Sequence, residues 1–382
     1  MRSVTVLGST GSIGTSTLDV LGRHRDRWAV AALAARTDVD GLVAQARAFE
    51  PKLVAVADAS RAEELTVRLA AKGVRARVVT GSAGLREAAA MGDVVVNALV
   101  GAAGLAPTLD VVERGARLAL ANKESLVVAG EWVTRRARET GAEILPVDSE
   151  HSGLFQCLAG GRAEQVERLV LTASGGPLRR HPDWRRARPD EVLAHPIWRM
   201  GPRITTDSAT LLNKGFEVIE ARWLFGLPLE RIGVLVHPQA IVHALVEWKD
   251  GSQLAQLSLP DMRLPIQIAL SWPERLEAPI PRLDLAAQGK LEFEAVDAAR
   301  FPLFALARDA AAAGGLAPAV LNAADEEAVR LFHEERVSLG ELADTLRAVV
   351  EAHPEGAADS LEAIKAADRW AREEVRRVAV GS

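Results

Sequence analysis

Over its first 150 residues the chain alternates short β-branched runs with stretches of helical period, and no other feature limits its fold so tightly. Strands are expected at 4–7, 29–33, 53–57, 77–79, 94–98, 118–121 and 144–147, and helices near 12–22, 40–50, 60–72, 83–91, 105–115 and 124–140. Such alternation builds a parallel sheet, because parallel neighbours need a crossover long enough to hold a helix. The first strand runs directly into GSTGSIG at 8–14, which opens the first helix. Gly8, Gly11 and Gly14 let the backbone turn tightly and approach a pyrophosphate, which then rests on the free N–H groups of the helix N-terminus. A doubly wound, Rossmann-like α/β domain that binds a dinucleotide is expected; the bland alternative is a tight strand–helix turn that holds no ligand.

The end of the second strand discriminates between cofactors. NAD enzymes place a carboxylate there for the ribose 2′-OH, whereas this chain has Arg36-Thr37, and a guanidinium grips a 2′-phosphate. NADP(H) is therefore preferred, with Asp38 the one neighbour that favours the other cofactor.

Beyond residue 150 the pattern changes. Strands are expected at 169–172, 232–236, 241–247 and 253–258 and a helix at 213–225, an α+β arrangement. Between them, a Pro-, Arg- and Trp-rich stretch over 177–203 has no period and reads as a functional loop or flap. Residues 276–302 read as a Pro-punctuated connector, and 303–382 as a small helical domain. The expected domains are thus 1–148, 149–275 and 303–382, three in a chain of 382 residues.

Composition excludes several chemistries. A single cysteine, Cys157, forbids an intramolecular disulfide or a thiolate zinc cluster, and its apolar setting reads as packing. With no tyrosine, no phenol can protonate a substrate carbonyl. The net charge of −5 argues against nucleic acid. No apolar run is long enough for a membrane span or a secretory peptide, so the cytoplasm is the expected location.

Three further constellations carry chemistry. In PVDSE at 146–150, Asp148 and Glu150 follow the last strand of the sheet, where open α/β sheets bind ligands, and two carboxylates so close call for a cation or a shared proton. Oxygen donors favour Mg²⁺ or Mn²⁺, although a solvated acidic pair is the commoner explanation of such a sequence. In DSATLLNKGFE at 207–217, a helix starting near Ser208 would put Asn213, Lys214 and Glu217 on one face, suited to an anionic polyol and a metal or, more blandly, to a surface ion pair. Ser174-Gly175-Gly176 precedes the flap and offers a hydroxyl and N–H groups to a phosphate. His195 and Trp198 lie at the flap's far end, where Trp198 would close over a ligand unless it only pins the loop.

Taken with ALANKESLV at 119–127, TASGGPL at 172–178, HPIWRMG at 195–201, HPQAIVH at 237–243, LPDMRLPIQIALSWPER at 259–275 and APAVLNAADEEAV at 317–329, these strings resemble the 1-deoxy-D-xylulose 5-phosphate reductoisomerase family over nearly the whole chain. The resemblance implies an NADPH-dependent oxidoreductase that rearranges and reduces a phosphorylated ketose, with Mg²⁺ or Mn²⁺ held by Asp148, Glu150 and Glu217. It implies substrate contacts from Lys123, Ser149, Glu150, Ser174, His195, Trp198, Ser208, Asn213, Lys214 and Glu217. NADPH would meet Gly8, Thr10, Gly11, Ser12, Ile13, Asn122, Glu124 and Gly201, as well as Arg36 and Thr37. A homodimer, a flexible flap and a C-terminal helical bundle are also implied. The chain departs from the family's pattern at Arg36-Thr37-Asp38, at Ile197 and Arg199 in the flap, and at Asp325, where Asn is common. Two other functions are distinguishable: a different NADP-dependent reductase of a phosphorylated or semialdehyde substrate would survive EDTA, and a nucleotide-sensing regulator would need neither acidic cluster nor lid.

Overall fold

The structure, a computed structural model, describes residues 1–380. In chain order the first elements are β1 (Arg2–Leu7), α1 (Ser12–Arg23), β2 (Trp28–Ala35), α2 (Val39–Phe49), β3 (Leu53–Val56), α3 (Ala62–Ala71), β4 (Arg77–Thr80), α4 (Gly81–Ala89), β5 (Val94–Asn97), α5 (Leu105–Glu113), β6 (Arg117–Leu120), α6 (Glu124–Thr140), β7 (Ile144–Pro146) and α7 (Ser149–Leu158). Then follow β8 (Val166–Ala173), α8 (Pro189–Val192), α9 (Pro202–Ala209), α10 (Leu212–Phe225), β9 (Ile232–Val236), β10 (Val242–Trp248), β11 (Gln253–Leu257), α11 (Arg263–Ser271), α12 (Leu285–Gln288), β12 (Glu294–Ala295), α13 (Pro302–Ala313), α14 (Ala317–His333), α15 (Leu339–Glu351) and α16 (Leu361–Val380).

Two compact units emerge, one of residues 1–125, 133–152 and 261–281, the other of 126–132, 153–260 and 282 onward. The first carries a seven-stranded sheet in the order β4-β3-β2-β1-β5-β6-β7, parallel throughout. Its central strands are apolar on both faces, as Val4, Val6, Val94, Val95 and Val96 show, because helices cover each side. The order reverses at β1, and the glycine-rich turn leaves that strand at the switch point where doubly wound sheets bind ligands.

The segment 261–275, grouped by sequence pattern with the middle of the chain, belongs to this first unit. Ile266, Ile268 and Leu270 of α11 are buried, and Arg263 reaches Asp19 of α1 at 3.2 Å. An amphipathic helix packs wherever its apolar face finds cover, and sequence period does not say where that is.

The second unit has a mixed five-stranded sheet, β11-β10-β8-β9-β12. The helices α13 to α16 belong to the same unit, with α14 buried along most of its length between α15 and α16. The stretch 177–203 holds a single turn at Trp184–Arg186 and the short α8. Arg185 donates to the Gly340 carbonyl and pairs with Asp344 at 2.5 Å, fastening this turn to α15.

One local difference bears on function. The helix expected to start near Ser208 is two helices, broken after Ala209 by Leu211, whose φ of +58° is left-handed. A β-carbon at such a φ is strained, and no glycine or proline announces the break. Ser208 therefore sits at the end of α9, while Asn213, Lys214 and Glu217 belong to α10.

Candidate active site

In the first unit, the turn after β1 is as tight as its glycines require. Gly8 has φ +79°, and a β-carbon on it would lie 2.4 Å from the Ala98 carbonyl oxygen; one on Gly14 would lie 2.3 Å from the Gly8 oxygen. The Gly8 and Ser9 amides both donate to Ala34 at 2.8 Å, and Gln45 of α2 donates to the Ser9 carbonyl at 2.8 Å. Gly11 starts α1 without a side-chain cap, with Gly11 and Ser12 exposed and Thr10 and Ile13 half-buried. The first-turn N–H groups can thus serve an anion.

Arg36 and Thr37 are exposed directly after β2. Asp38 instead caps α2, its Oδ1 accepting from the Gly41 amide at 2.8 Å, so its carboxylate belongs to the helix. The positive charge of Arg36 also helps hold Asp58 below the usual carboxylate range, an effect led by the Ser60 hydroxyl.

Asn122 and Glu124 lie in a buried network under the loop after β5. The Asn122 amide donates to the Leu99 and Gly101 carbonyls at 2.9 and 3.0 Å and to Glu124 at 2.7 Å, while the other Glu124 oxygen accepts from the Gly101 amide at 3.1 Å. A β-carbon on Gly104 would collide with Asn122. These two side chains hold the loop rather than reach outward.

At the end of β7, Lys123 Nζ lies 2.5 Å from Asp148, and both are largely withdrawn from solvent. Ser149 donates to Glu150 at 2.6 Å. His151, which sequence reasoning passed over, is wholly buried with its Nδ1 4.0 Å from Asp148. Its signal was the i,i+3 spacing from Asp148 in PVDSEH.

In the second unit, Glu217 is buried on α10; one oxygen accepts from Asn213 at 2.5 Å and the other pairs with the Lys214 ammonium. The helical face expected from spacing is thus real, but it is buried rather than a solvated surface pair. Ser174 follows β8. Its Oγ lies 3.1 Å from His195 Nε2 and accepts from the Gly176 amide at 3.2 Å. His195 Nδ1 accepts from the Ile197 and Trp198 amides at 3.2 and 2.8 Å, which assigns the ring hydrogen to Nε2. Burial lowers the His195 pKa below its ordinary value, so the ring is neutral at pH 7. Gly176, φ +63°, presses against the Ser208 peptide: a β-carbon there would lie 2.7 Å from the Ser208 oxygen. Ser174, His195 and Ser208 therefore converge in one unit. Trp198 is half-buried in the flap, and Gly201 is the exposed residue that starts α9.

Comparison with known proteins agrees over the whole length. Models of the 1-deoxy-D-xylulose 5-phosphate reductoisomerase family match residues 4–130, of its C-terminal domain 144–225, and of the DXP reductoisomerase C-terminal domain 257–374. The reductoisomerase of Chlorobium phaeovibrioides is 51% identical over 98% of both chains, and that of Chlorobaculum tepidum 49% over 99% of this chain and all of its own. The chain belongs to the 1-deoxy-D-xylulose 5-phosphate reductoisomerase family. A solved reductoisomerase from Zymomonas mobilis in complex with NADPH superposes with TM-score 0.93, 41% identity and 99% coverage of each chain. A second solved reductoisomerase, in complex with NADPH, fosmidomycin and magnesium, gives 0.93 with 38% identity, covering all of this chain and 98% of its own.

Proposed function

We infer that the chain converts 1-deoxy-D-xylulose 5-phosphate to 2-C-methyl-D-erythritol 4-phosphate, as an NADPH- and divalent-metal-dependent oxidoreductase of isoprenoid precursor synthesis. The observation that carries this reading is the identity of about half of all residues with named reductoisomerases over the full length. The residues present suit both groups. The glycine turn leaves a helix N-terminus without a side-chain cap, where a pyrophosphate fits. Asp148, Glu150 and Glu217 are hard oxygen donors of the kind Mg²⁺ and Mn²⁺ select, and the ammonium partners of Asp148 and Glu217 show that both sites already favour a positive charge. When bound, the metal supplies a Lewis acid for the ketone and neighbouring hydroxyl, and NADPH supplies the hydride.

The chain's own groups do the rest. Ser174 Oγ accepts from His195 Nε2 and from the Gly176 amide, which leaves its hydroxyl hydrogen for a phosphate oxygen. Ser208, Asn213 and Lys214 add donors to the phosphate and hydroxyls, and Lys123 and Ser149 hold the end nearer Asp148. Arg36 and Thr37 hold the 2′-phosphate. Asn122 and Glu124 shape the loop at Gly101, and Gly201 with Trp198 lets the flap close and exclude water.

A homodimer in the cytoplasm completes the proposal. The outer strand β11, with Leu254 exposed, supplies an edge suited to a second copy, and light scattering checks it. Among the described residues no helix is long and apolar enough to cross a membrane.

The deciding assay is loss of NADPH absorbance that requires both the ketose phosphate and Mg²⁺ or Mn²⁺. Glu217→Gln is expected to lower kcat by roughly 10²–10³-fold. NADPH affinity, most of whose proposed contacts belong to the first unit, should stay within about twofold. Normal turnover by this variant sinks the metal assignment.

A further inference from the structure

Four carboxylates and two guanidinium groups meet where α9 lies on α14. Arg203 of α9 donates to Asp325 at 3.1 Å, to Glu326 at 2.8 Å and to Asn322 at 2.8 Å, all on α14, and stands 3.6 Å from Asp207 on its own helix. Arg372 of α16 pairs with Glu326 but is shared with Asp368. Asp207 and Asp325 are 3% and 1% exposed. Both stand on one guanidinium nitrogen, Arg203 Nε lying 3.1 Å from Asp325 Oδ2 and 3.6 Å from Asp207 Oδ2, and neighbouring carboxyls can hydrogen-bond each other only if one keeps its proton. Among the described residues Asp325 Oδ1 also has no amide, hydroxyl or guanidinium donor. Two guanidinium charges do not balance four carboxylates, and one retained proton both reduces the excess and supplies the missing donor.

The remaining charged groups around α9 have other partners. On α10, Lys214 and Glu217 face each other, and Glu220 and Arg222 lie further along it. Near α8, Asp190 pairs with Arg188, and Glu191 with His181. On α14, His333 meets the Thr206 hydroxyl at 2.9 Å, while Glu327 pairs with Arg330 and Arg376.

We propose that Asp325 is a positioning residue for the phosphate pocket: it shares one proton with Asp207 and thereby fixes where α9 presents Ser208. Asp207 adjoins Ser208, whose carbonyl oxygen is packed against Gly176, two residues from Ser174. A shift of Asp207 away from Asp325 therefore moves both hydroxyl donors of the pocket. The role rests on the proposed contact of Ser174 and Ser208 with substrate phosphate. Burial raises the Asp325 pKa to about 6, against Arg203, which lowers it. Because this lies above the ordinary 3.8, the stability contributed by the bound proton is complete below about pH 4 and is lost as pH climbs through about 6.

The test compares the full-length wild type with Asp325→Asn, whose amide hydrogen-bonds Asp207 at any pH, and with Asp207→Asn, which is neutral on the other side. Calorimetry without substrate should show the wild-type Tm falling relative to both variants between pH 5 and 8, by roughly 3 °C. With NADPH and Mg²⁺, the ratio of wild-type to Asp325→Asn KM for the ketose phosphate should rise about threefold to tenfold from pH 5.5 to 8, while the kcat ratio stays flat. Taking ratios cancels the substrate phosphate's own ionisation. A Tm difference that does not change with pH overturns the shared proton. A changing Tm difference with a flat KM ratio overturns the positioning role and leaves the pair a packing feature. Wild-type chain that consumes no NADPH overturns the functional reading and the positioning role with it, and the Tm series still decides the proton.

Discussion

Asp38 caps the first turn of α2, which leaves Arg36 as the exposed charge directly beyond β2, where the proposal sets the cofactor's adenosine ribose. A charge-assisted contact between guanidinium and phosphate contributes about 1.5–3 kcal/mol. Arg36→Gln is accordingly expected to raise KM for NADPH roughly 10- to 100-fold and to leave KM for NADH nearly unchanged, which steady-state kinetics with the two cofactors checks. Equal effects on both would remove Arg36 from the 2′-phosphate site. At this scale the sequence was informative about residue types and less so about their partners. The exposed place of Arg36 directly after β2 was legible, because an Arg at a strand end is seldom buried. The capping duty of Asp38 was not, because it depends on where α2 begins, and boundaries shift easily by a residue or two. His151 was missed for a related reason: a buried imidazole beside a carboxylate is recognised from burial, and the sequence string does not show burial.

Between secondary-structure elements, the flap and the α9–α10 break shape the proposed phosphate pocket. The flap is fixed at its near end, where Arg185 holds Asp344 and Gly340 and Arg300 donates to the Leu178 and His181 carbonyls. Toward its far end, His195 Nε2 meets Ser174 Oγ at 3.1 Å, while the Ile197 and Trp198 amides only fold the flap back onto His195 Nδ1, a lighter tether next to Trp198. Trp198→Ala is expected to reduce kcat/KM for the ketose phosphate by roughly 10- to 100-fold. Its Tm should fall by less than about 2 °C, since a half-buried side chain in a loop holds little of the core. A large Tm loss with modest kinetic change would make Trp198 a loop pin. The glycine turn was legible because its residues are dictated by steric necessity. The break at Leu211 was not: a left-handed leucine is held by its surroundings, with Leu211 itself buried, and carries no local sequence mark.

At the scale of the whole molecule, the chain does not finish its first unit in one pass. Residues 261–281 belong with the first unit, and α11 buries Ile266, Ile268 and Leu270 there. Each such side chain contributes about 1.5–3 kcal/mol when buried. A fragment ending at residue 260 therefore loses an amount comparable to the entire stability of a typical domain, about 5–15 kcal/mol. That fragment is expected to show no cooperative thermal transition for its first unit and no NADPH binding by fluorescence; a fragment that binds NADPH normally would show α11 to be dispensable. The parallel sheet was readable because strand–helix alternation is local, whereas the return of α11 is a long-range pairing of apolar faces that no window of sequence contains.

The same discontinuity sets an order of events during synthesis. When β7 leaves the ribosome, all seven strands of the first sheet exist, yet the helix that covers α1 is more than a hundred residues from being made. At translation rates of 5–20 residues per second, the interval lasts roughly 5–25 s, far longer than hydrophobic collapse or hairpin formation. Throughout it the side of α1 that α11 later covers stays open to solvent.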